Sequence, residues 1–189
     1  MVNGAYLRSL RQNRNYTLER LSRETGYTAS FLSQIERGLK EPSLTTLRKL
    51  SECLGVPIFS FFVESSEEGA ASGEEMGYSV VRKDLRTKMD FPGLAIKGEA
   101  ITRFPGAGGA KPALRGILYT ISSGQWSSEG LVSHTYDECT YVLQGSIRIA
   151  FPDASVEISA GDCIYICAGM KHNFFCREDE DSVLLAFNN

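Results

Sequence analysis

The chain has 189 residues, of which 42% are hydrophobic and 23% charged, so it is long enough for one large or two small globular domains. It contains no run of about 18 uncharged apolar residues, which excludes a transmembrane helix. The charged, amphipathic N-terminus is unlike a signal peptide, and five cysteines without a regular framework are typical of a reducing compartment. We therefore expect a cytoplasmic protein.

The formal net charge of −3 conceals an asymmetry along the chain. Residues 1–63 carry nine Lys and Arg against five Asp and Glu, whereas residues 64–189 carry eleven against eighteen. A basic first part followed by an acidic remainder predicts that the first part contacts a polyanion and that the second has another task.

Helical spacing of apolar residues predicts five short helices in residues 1–63. The first carries Leu7 and Leu10 and ends around Asn13–Asn15, and the fifth begins at Pro57. The residues that open the second, third and fourth helices are Thr17, Thr28 and Pro42-Ser43. The glycines that close them are Gly26, Gly38 and Gly55.

The third predicted helix follows a tight glycine turn and exposes small polar side chains, a geometry that fits the major groove of DNA. The Gln34 amide can make two hydrogen bonds to an adenine edge, and Thr28 lies at a helix start that suits a phosphate. The predicted DNA-contacting residues are Thr17, Thr28, Ala29, Ser30, Ser33, Gln34, Arg37 and Lys40. Spacing alone leaves open that these are merely solvated positions on a helical bundle.

The segment from Leu7 to Phe62, above all SQIERGLKEPSLTTL, resembles the Xre (phage repressor-type) helix-turn-helix family. The resemblance implies a five-helix domain in which Thr28, Ala29, Ser30 and Gln34 face bases or nearby phosphates. It also implies that Glu36 pairs with Arg11 as a structural lock, and that two copies bind two operator half-sites as a homodimer. Phe31 stands where the family often has Tyr, so a hydroxyl-to-phosphate bond is absent there.

The segment ESSEEGAASGEE, from Glu64 to Glu75, is acidic and lacks any large apolar residue. It cannot bury a core and is interpreted as a flexible linker. The predicted organisation is therefore a helix-turn-helix domain at 1–63, an acidic linker at 64–76 and a second domain at 77–189.

The second domain contains short alternating runs broken by Gly, Pro and Asp, which predict an all-β structure. The two histidines of the chain lie in separate phrases, His134 in SHTYDECTYVLQGSIRI and His172 in VEISAGDCIYICAGMKHNFFC. Glu138 follows His134 by four residues. Two imidazoles and a carboxylate that converge from separate strands form a ligand set for a divalent metal.

These two phrases resemble the motifs of the cupin superfamily, antiparallel double-sheet (jelly-roll) barrels, over roughly Tyr78 to Phe187. The matching residues are His134, Glu138, Gly145, Gly161, Gly169 and His172. Val132 occupies the position of a further histidine ligand, and Cys167 and Cys176 replace a proline and an asparagine. The resemblance thus implies a three-ligand site of His134, Glu138 and His172 for zinc, iron, manganese or nickel.

The alternative is a metal-free pocket that binds an organic effector. Its predicted lining residues are Tyr119, Trp126, Tyr136, Tyr141, Tyr165, Phe174 and Arg148. Aromatic residues of a barrel also serve as core, and Arg115 joins Arg148 as a candidate for holding an acidic ligand. Cys139, Cys163, Cys167 and Cys176 are interpreted either as small apolar filler or as metal-binding or oxidation-sensing thiols.

The predicted function is a sequence-specific DNA-binding transcriptional regulator, in the repressing mode, whose cupin domain dimerises and senses a small molecule or a metal. The alternative is a metal-dependent cupin enzyme, an isomerase or a dioxygenase, fused to a DNA-binding head. A third interpretation keeps the head and gives the second domain a protein partner. The incomplete motif favours binding without catalysis.

Overall fold

A computed structural model describes residues 2–56, 58, 61, 70–73, 78–91, 93–102, 114–177 and 179–188. The chain divides into two compact units, one holding the helices and the other the strands. Within the described ranges, no helix has the length and apolar character needed to cross a membrane.

The described part of the helical unit contains four α-helices. They are α1 (Gly4–Asn13), α2 (Leu18–Thr25), α3 (Ala29–Glu36) and α4 (Leu44–Leu54). Each begins after a side chain that accepts a hydrogen bond from the backbone N–H three residues later, which satisfies a donor left unpaired at a helix start. These capping residues are Asn3, Thr17, Thr28 and Ser43. The predicted fifth helix from Pro57 falls largely outside the described residues.

Glycines end two of the helices as the sequence predicts. Gly26 and Gly55 follow α2 and α4 with φ of 74° and 52°, the left-handed conformation that a glycine adopts without steric cost. Leucines and one isoleucine form the core between the helices. These fully or almost fully buried residues are Leu7, Leu21, Leu32, Ile35, Leu50 and Leu54.

Helices α1 and α3 approach closely at Gly4. A Cβ atom at this position would overlap the carbonyl oxygen of Ile35 and lie 2.8 Å from that of Glu36. We expect Gly4→Ala to lower the free energy of unfolding by about 1–3 kcal/mol, because neither backbone oxygen can move without displacing α3. Urea unfolding followed by far-UV circular dichroism measures the loss.

The control for this prediction is Gln12→Ala, at an exposed position of the same helix. Alanine favours helix formation there, so this variant should be as stable as the wild type. A Gly4→Ala protein as stable as the Gln12→Ala protein would contradict the close approach.

The second unit contains antiparallel strands. In the described residues they are β1 (Ala70–Gly73), β2 (Tyr78–Val81), β3 (Lys88–Asp90), β4 (Ile96–Ala100), β5 (Arg115–Ile121), β6 (Glu138–Gln144), β7 (Ser146–Ala150), β8 (Ser155–Ser159), β9 (Cys163–Ile166), β10 (Asn173–Cys176) and β11 (Ser182–Asn188). One sheet has the order β3-β4-β5-β11-β6-β9 and a second the order β10-β7-β8, while β1 pairs with β2. The predicted antiparallel double-sheet fold is confirmed, although the described strands form separate sheets and not one closed barrel.

The β1–β2 pairing changes the interpretation of the predicted linker. Ala70–Gly73 pairs in register with Tyr78–Val81, so four residues of the segment 64–76 form a strand instead of flexible chain. The rest of that segment lies outside the described residues.

The core of the second unit lies between the two larger sheets. Its buried residues come from six strands, and they are Ile121, Val142, Ile147, Ile149, Ile166, Cys176 and Leu184. Successive residues of a strand point to opposite faces, so Glu138 and Thr140 share a face of β6 with Val142. Val142 belongs to the core, and this shared face is therefore the inner one. The sheet thus carries polar side chains inward at one end.

Candidate nucleic-acid interface and metal centre

The outer side of α3 carries the residues predicted to read DNA. Leu32, Ile35 and Glu36 are buried against the other helices, which leaves the opposite side of α3 accessible. Of the predicted set, Thr17, Thr28, Ser30, Arg37 and Lys40 are exposed, and Ala29, Ser33 and Gln34 are half-buried. Seven of these eight residues lie on or beside α3, whereas Thr17 lies at the start of α2.

Thr17 and Thr28 each use the hydroxyl oxygen as a helix cap. Thr17 Oγ1 accepts from the N–H of Arg20 at 3.1 Å, and Thr28 Oγ1 accepts from the N–H of Phe31 at 3.2 Å. A hydroxyl that accepts in a cap can still donate its hydrogen. Both side chains therefore suit a contact with a phosphate oxygen, next to helix starts that favour negative charge.

Two cations flank the exposed side of α3. Arg37 Nε donates to the Ser33 carbonyl at 3.3 Å, and Lys40 Nζ lies 5.0 Å from the centre of the Phe31 ring. These contacts hold both side chains beside the helix while their charge remains in solvent, the environment from which a phosphate contact forms.

The predicted lock between Arg11 and Glu36 is confirmed. Arg11 Nε donates to Glu36 Oε1 at 2.6 Å and a terminal nitrogen donates to Oε2 at 3.1 Å, a two-point ion pair. A further Arg11 nitrogen donates to the carbonyl of Tyr16 at 2.6 Å. Both charged side chains are buried, so this pair fixes α1 against α3 and does not contact DNA.

In the second unit, the structure brings together the three predicted metal ligands. Glu138 begins β6, His134 lies four residues before it, and His172 directly precedes β10. One ligand atom from each side chain lies within 4.8 Å of the other two. Residues distant in sequence thus meet at the polar end of the sheet, where together they would hold a divalent cation.

The imidazole rings are oriented by backbone carbonyls. His134 Nδ1 lies 2.6 Å from the carbonyl oxygen of Tyr136, and His172 Nδ1 lies 2.9 Å from that of Met170. A carbonyl only accepts, so each Nδ1 carries a hydrogen, and in a neutral ring the Nε2 atom then has a free lone pair. Metal-binding histidines are usually oriented in this way, with the ring nitrogen that does not bind the metal donating to a carbonyl or carboxylate oxygen.

The electrostatics of the cluster also suit a cation. Burial raises the pKa of Glu138, but contacts with His134 and Thr140 and the charge of the two histidines outweigh it, so the pKa lies below its usual value. Burial lowers the pKa of His172 and favours the neutral, ligating form. Thr140 Oγ1 donates to Glu138 Oε1 at 2.7 Å, which leaves Oε2 directed at His134.

One atom of the cluster is unsatisfied within the protein. His134 Nε2 is buried and has no hydrogen-bond partner, although Glu138 Oε2 lies 3.3 Å away. A buried polar atom without a partner is costly and usually has a specific reason. A divalent metal held by His134, Glu138 and His172 would satisfy this atom, so the residues present fit such an ion.

Three of the predicted pocket residues adjoin this cluster. The Tyr136 ring stacks on His134 with centroids 4.1 Å apart, and the Phe174 ring lies edge-on to His172 at 5.3 Å. Tyr119 packs against the core, and its burial, followed by the nearby Tyr136 hydroxyl and Glu138 carboxylate, raises its pKa. These aromatic rings surround the ligand atoms with apolar surface.

The other four predicted pocket residues lie on the outer surface of the described structure. Tyr141 and Tyr165 are 40% and 61% exposed, on the opposite face of β6 and β9 from Glu138 and Ile166. Trp126 is 42% exposed and packs on Phe175. Arg148 forms an exposed ion pair with Glu157 at 3.0 Å.

The register of the sheet places two further polar residues in line with Glu138. The sequence motifs do not single out Asn188, and they leave Arg115 only as a candidate for holding an acidic ligand. Arg115 of β5 pairs with Asn188 of β11, which pairs with Glu138 of β6, so the three form one row. Arg115 lies over the Tyr136 ring at 5.6 Å, and the buried Asn188 has an amide oxygen without a hydrogen-bond partner. Only the strand register, which the sequence does not reveal, places them there.

Comparison with known proteins agrees with this description. Residues 7–61 match the helix-turn-helix family HTH_3, and residues 117–188 match the cupin domain family. The HTH-type transcriptional regulator PuuR of Escherichia coli (strain K12) is 25% identical over 171 residues, which cover 90% of this chain and 85% of PuuR. The HTH-type transcriptional regulator SutR of the same strain is 39% identical over 66 residues, covering 35% of this chain and 36% of SutR.

A solved structure of an HTH_3 family transcriptional regulator from Vibrio cholerae has the same fold. It covers 98% of this chain and 93% of its own, with a TM-score of 0.66 and 21% identity. The chain described here therefore consists of an Xre-type helix-turn-helix domain followed by a cupin domain. It is a DNA-binding transcriptional regulator that carries a cupin domain.

Proposed function

We propose that this regulator is a cytoplasmic repressor that binds its operator as a homodimer through α3, and that its cupin domain senses a ligand at the His134–Glu138–His172 cluster. The observation that carries the DNA-binding mode is the outer side of α3. That side presents short polar side chains and an amide, next to a capped helix start and exposed cations. Such a surface admits the close backbone approach that base contacts in the major groove require.

The charge distribution supports the same mode. The helical unit carries the chain's excess of basic residues, and phosphate neutralisation supplies much of the affinity for DNA. Arg37 and Lys40 contact phosphates in this proposal, whereas Ser30 and Gln34 contact base edges. Phosphate contacts position the domain, and base contacts select the sequence.

Removing the base contacts should change sequence preference. We expect Gln34→Ala to weaken binding to the operator by about 1–3 kcal/mol, roughly 5- to 150-fold, while binding to unrelated DNA is retained. Ser30→Ala should have a smaller effect of the same kind. The operator is first selected from a random DNA library with the wild-type protein, and fluorescence anisotropy then measures affinity at fixed salt.

Gln12→Ala provides the matched control, since it removes an exposed amide from α1 instead of α3. Its operator affinity should equal that of the wild type. If the Gln34→Ala protein selects the same DNA motif with undiminished affinity, Gln34 does not contact the bases.

For the sensing role, we propose that a divalent metal or a metal-bound small molecule occupies the cluster. The unpartnered His134 Nε2 and the row of Arg115, Asn188 and Glu138 support a polar ligand site enclosed by aromatic rings. Ligand binding would change operator affinity by shifting the population of DNA-competent dimers. In a repressor, this shift governs how long the operator is occupied.

A second candidate function, a metal-dependent isomerase or dioxygenase, is favoured by the same two histidines and one carboxylate, which leave coordination positions open. We rank it below sensing because Glu138 would serve as a ligand and so would not be available as a general base. Repeated turnovers of oxygen consumption by the Fe(II)-loaded protein would reverse this order.

A further inference from the structure

Two cysteines face each other on the outer surface of the cupin sheet. Cys139 of β6 pairs with Tyr165 of β9, and Tyr141 pairs with Cys163, so the cysteines occupy diagonal positions on adjacent antiparallel strands. Their Sγ atoms lie 3.3 Å apart. Cys163 is exposed and Cys139 is half-buried, so an oxidant in solution reaches this pair.

The remaining cysteines have different surroundings. Cys176 is buried in the core, and Cys53 on α4 donates to Glu24 at 3.3 Å. Burial, followed by the Glu24 contact, raises the pKa of Cys53 to about 11. The contact with Cys139, followed by burial, also raises the pKa of Cys163, so the Cys139–Cys163 pair is set apart by the short distance between its two sulfurs and by its accessibility. Cys167 is exposed, but the structure records its thiol in no contact with another thiol.

Metal binding does not explain the Cys139–Cys163 pair. The described residues contain one group of three or more His, Cys, Asp or Glu side chains that could hold an ion, the His134–Glu138–His172 cluster. Neither cysteine belongs to it. Two thiols without a third protein ligand are a weak site for a soft metal. Simple filler is also a poor explanation, because Cys163 is exposed and fills no cavity.

We propose that Cys139 and Cys163 form a reversible intramolecular disulfide under oxidising conditions. The chemistry is a two-electron oxidation by hydrogen peroxide. The Cys163 thiol loses its proton and its sulfur attacks one peroxide oxygen, so the O–O bond breaks, the released hydroxide takes up that proton as water, and a sulfenic acid remains on Cys163. The Cys139 sulfur then attacks the Cys163 sulfur, the S–OH bond breaks, and the hydroxyl group leaves with the Cys139 proton as a second water while the S–S bond forms. Thiol–disulfide exchange with an external dithiol reverses the step.

The geometry favours this pair over any intermolecular alternative. The resolving thiol already lies within van der Waals distance of the attacked sulfur, so the second step needs no encounter with another molecule. To form the bond, the two sulfurs must approach from 3.3 Å to the bonding distance of about 2.0 Å. The pairing of β6 with β9 already holds the two cysteines beside each other. The proposal stands apart from the ligand-sensing role and does not depend on it.

Thiol counting on the full-length protein tests the proposal. The protein is reduced, freed of reductant, and exposed at low concentration to hydrogen peroxide. We expect the wild type to lose two of its five thiols, to remain monomeric on a non-reducing denaturing gel, and to recover both thiols with dithiothreitol. Peptide mapping by mass spectrometry should identify a single linked pair, Cys139 with Cys163.

Serine variants provide the controls. Cys139→Ser and Cys163→Ser should form no intramolecular link, whereas Cys167→Ser, which removes a neighbouring exposed thiol, should form it as the wild type does. Three results would each overturn the proposal: five thiols remaining under conditions that oxidise free cysteine, a link that includes Cys167, or Cys163 oxidised to sulfinic acid beside a free Cys139.

Discussion

Arg11→Met is expected to lower the free energy of unfolding of the helical domain by about 3–5 kcal/mol, because it leaves the Glu36 carboxylate buried without its ion-pair partner. The substitution also removes the donor to the carbonyl of Tyr16. Far-UV circular dichroism during urea titration follows the helices. The single tryptophan, Trp126, lies in the cupin unit, so its fluorescence reports the other domain and should change little.

Two further variants separate the buried charge from other effects. The double variant Arg11→Met with Glu36→Leu should recover most of the lost stability, since replacing both members of a buried ion pair with apolar residues is often nearly neutral. Arg20→Met breaks an exposed pair with Glu24 and should cost far less. Equal losses for Arg11→Met and Arg20→Met would show that the burial of the pair is energetically unimportant.

His172→Ala is expected to reduce the bound zinc from about one equivalent to almost none. The cluster offers three protein ligands, and removing one leaves two, too few for a stable tetrahedral site. Protein loaded with zinc and then desalted is measured by inductively coupled plasma mass spectrometry. Glu138→Gln should lose zinc in the same way, and Thr140→Val, which only removes the hydrogen bond to Glu138 Oε1, should weaken zinc binding about 10- to 100-fold.

The matched control is Glu129→Gln, an exposed carboxylate outside the cluster, which should bind zinc as the wild type does. Zinc addition should also shift operator affinity of the wild type and of Glu129→Gln by about 1–3 kcal/mol, and this response should be absent in His172→Ala. Unchanged zinc content in His172→Ala and Glu138→Gln would contradict the proposed metal centre. Zinc binding without a change in operator affinity would show that the metal does not regulate DNA binding.

Local signals in the sequence were sufficient to place the starts of α2, α3 and α4. Thr17, Thr28 and Ser43 cap the helices that they were expected to cap, because capping depends on residues only three positions apart. The pairing of Arg11 with Glu36 spans 25 residues and was predicted only because the chain resembles a known family. Propensity alone does not identify such a distant partner.

In the cupin domain, the sequence predicts which side chains of one strand share a face, but it does not predict which strands pair. Glu138 and Tyr141 are three positions apart on one strand, so a strand that directs Glu138 inward must direct Tyr141 outward. The alternation of side chains along a strand is enough to predict this outward position from the sequence. The outward position of Tyr165 and the ion pair of Arg148 with Glu157 depend on which strands pair and in which register, and no local pattern encodes these.

The alternation along β6 has a consequence for how this domain changes in evolution. Inward residues Glu138 and Thr140 and outward residues Cys139 and Tyr141 follow one another along a single strand, yet they lie on opposite sides of the sheet. A substitution inside the cavity can therefore alter ligand preference while the outer surface stays the same. One strand thus allows two traits to be selected independently, and a library restricted to the inward positions should yield new specificities on an unaltered exterior.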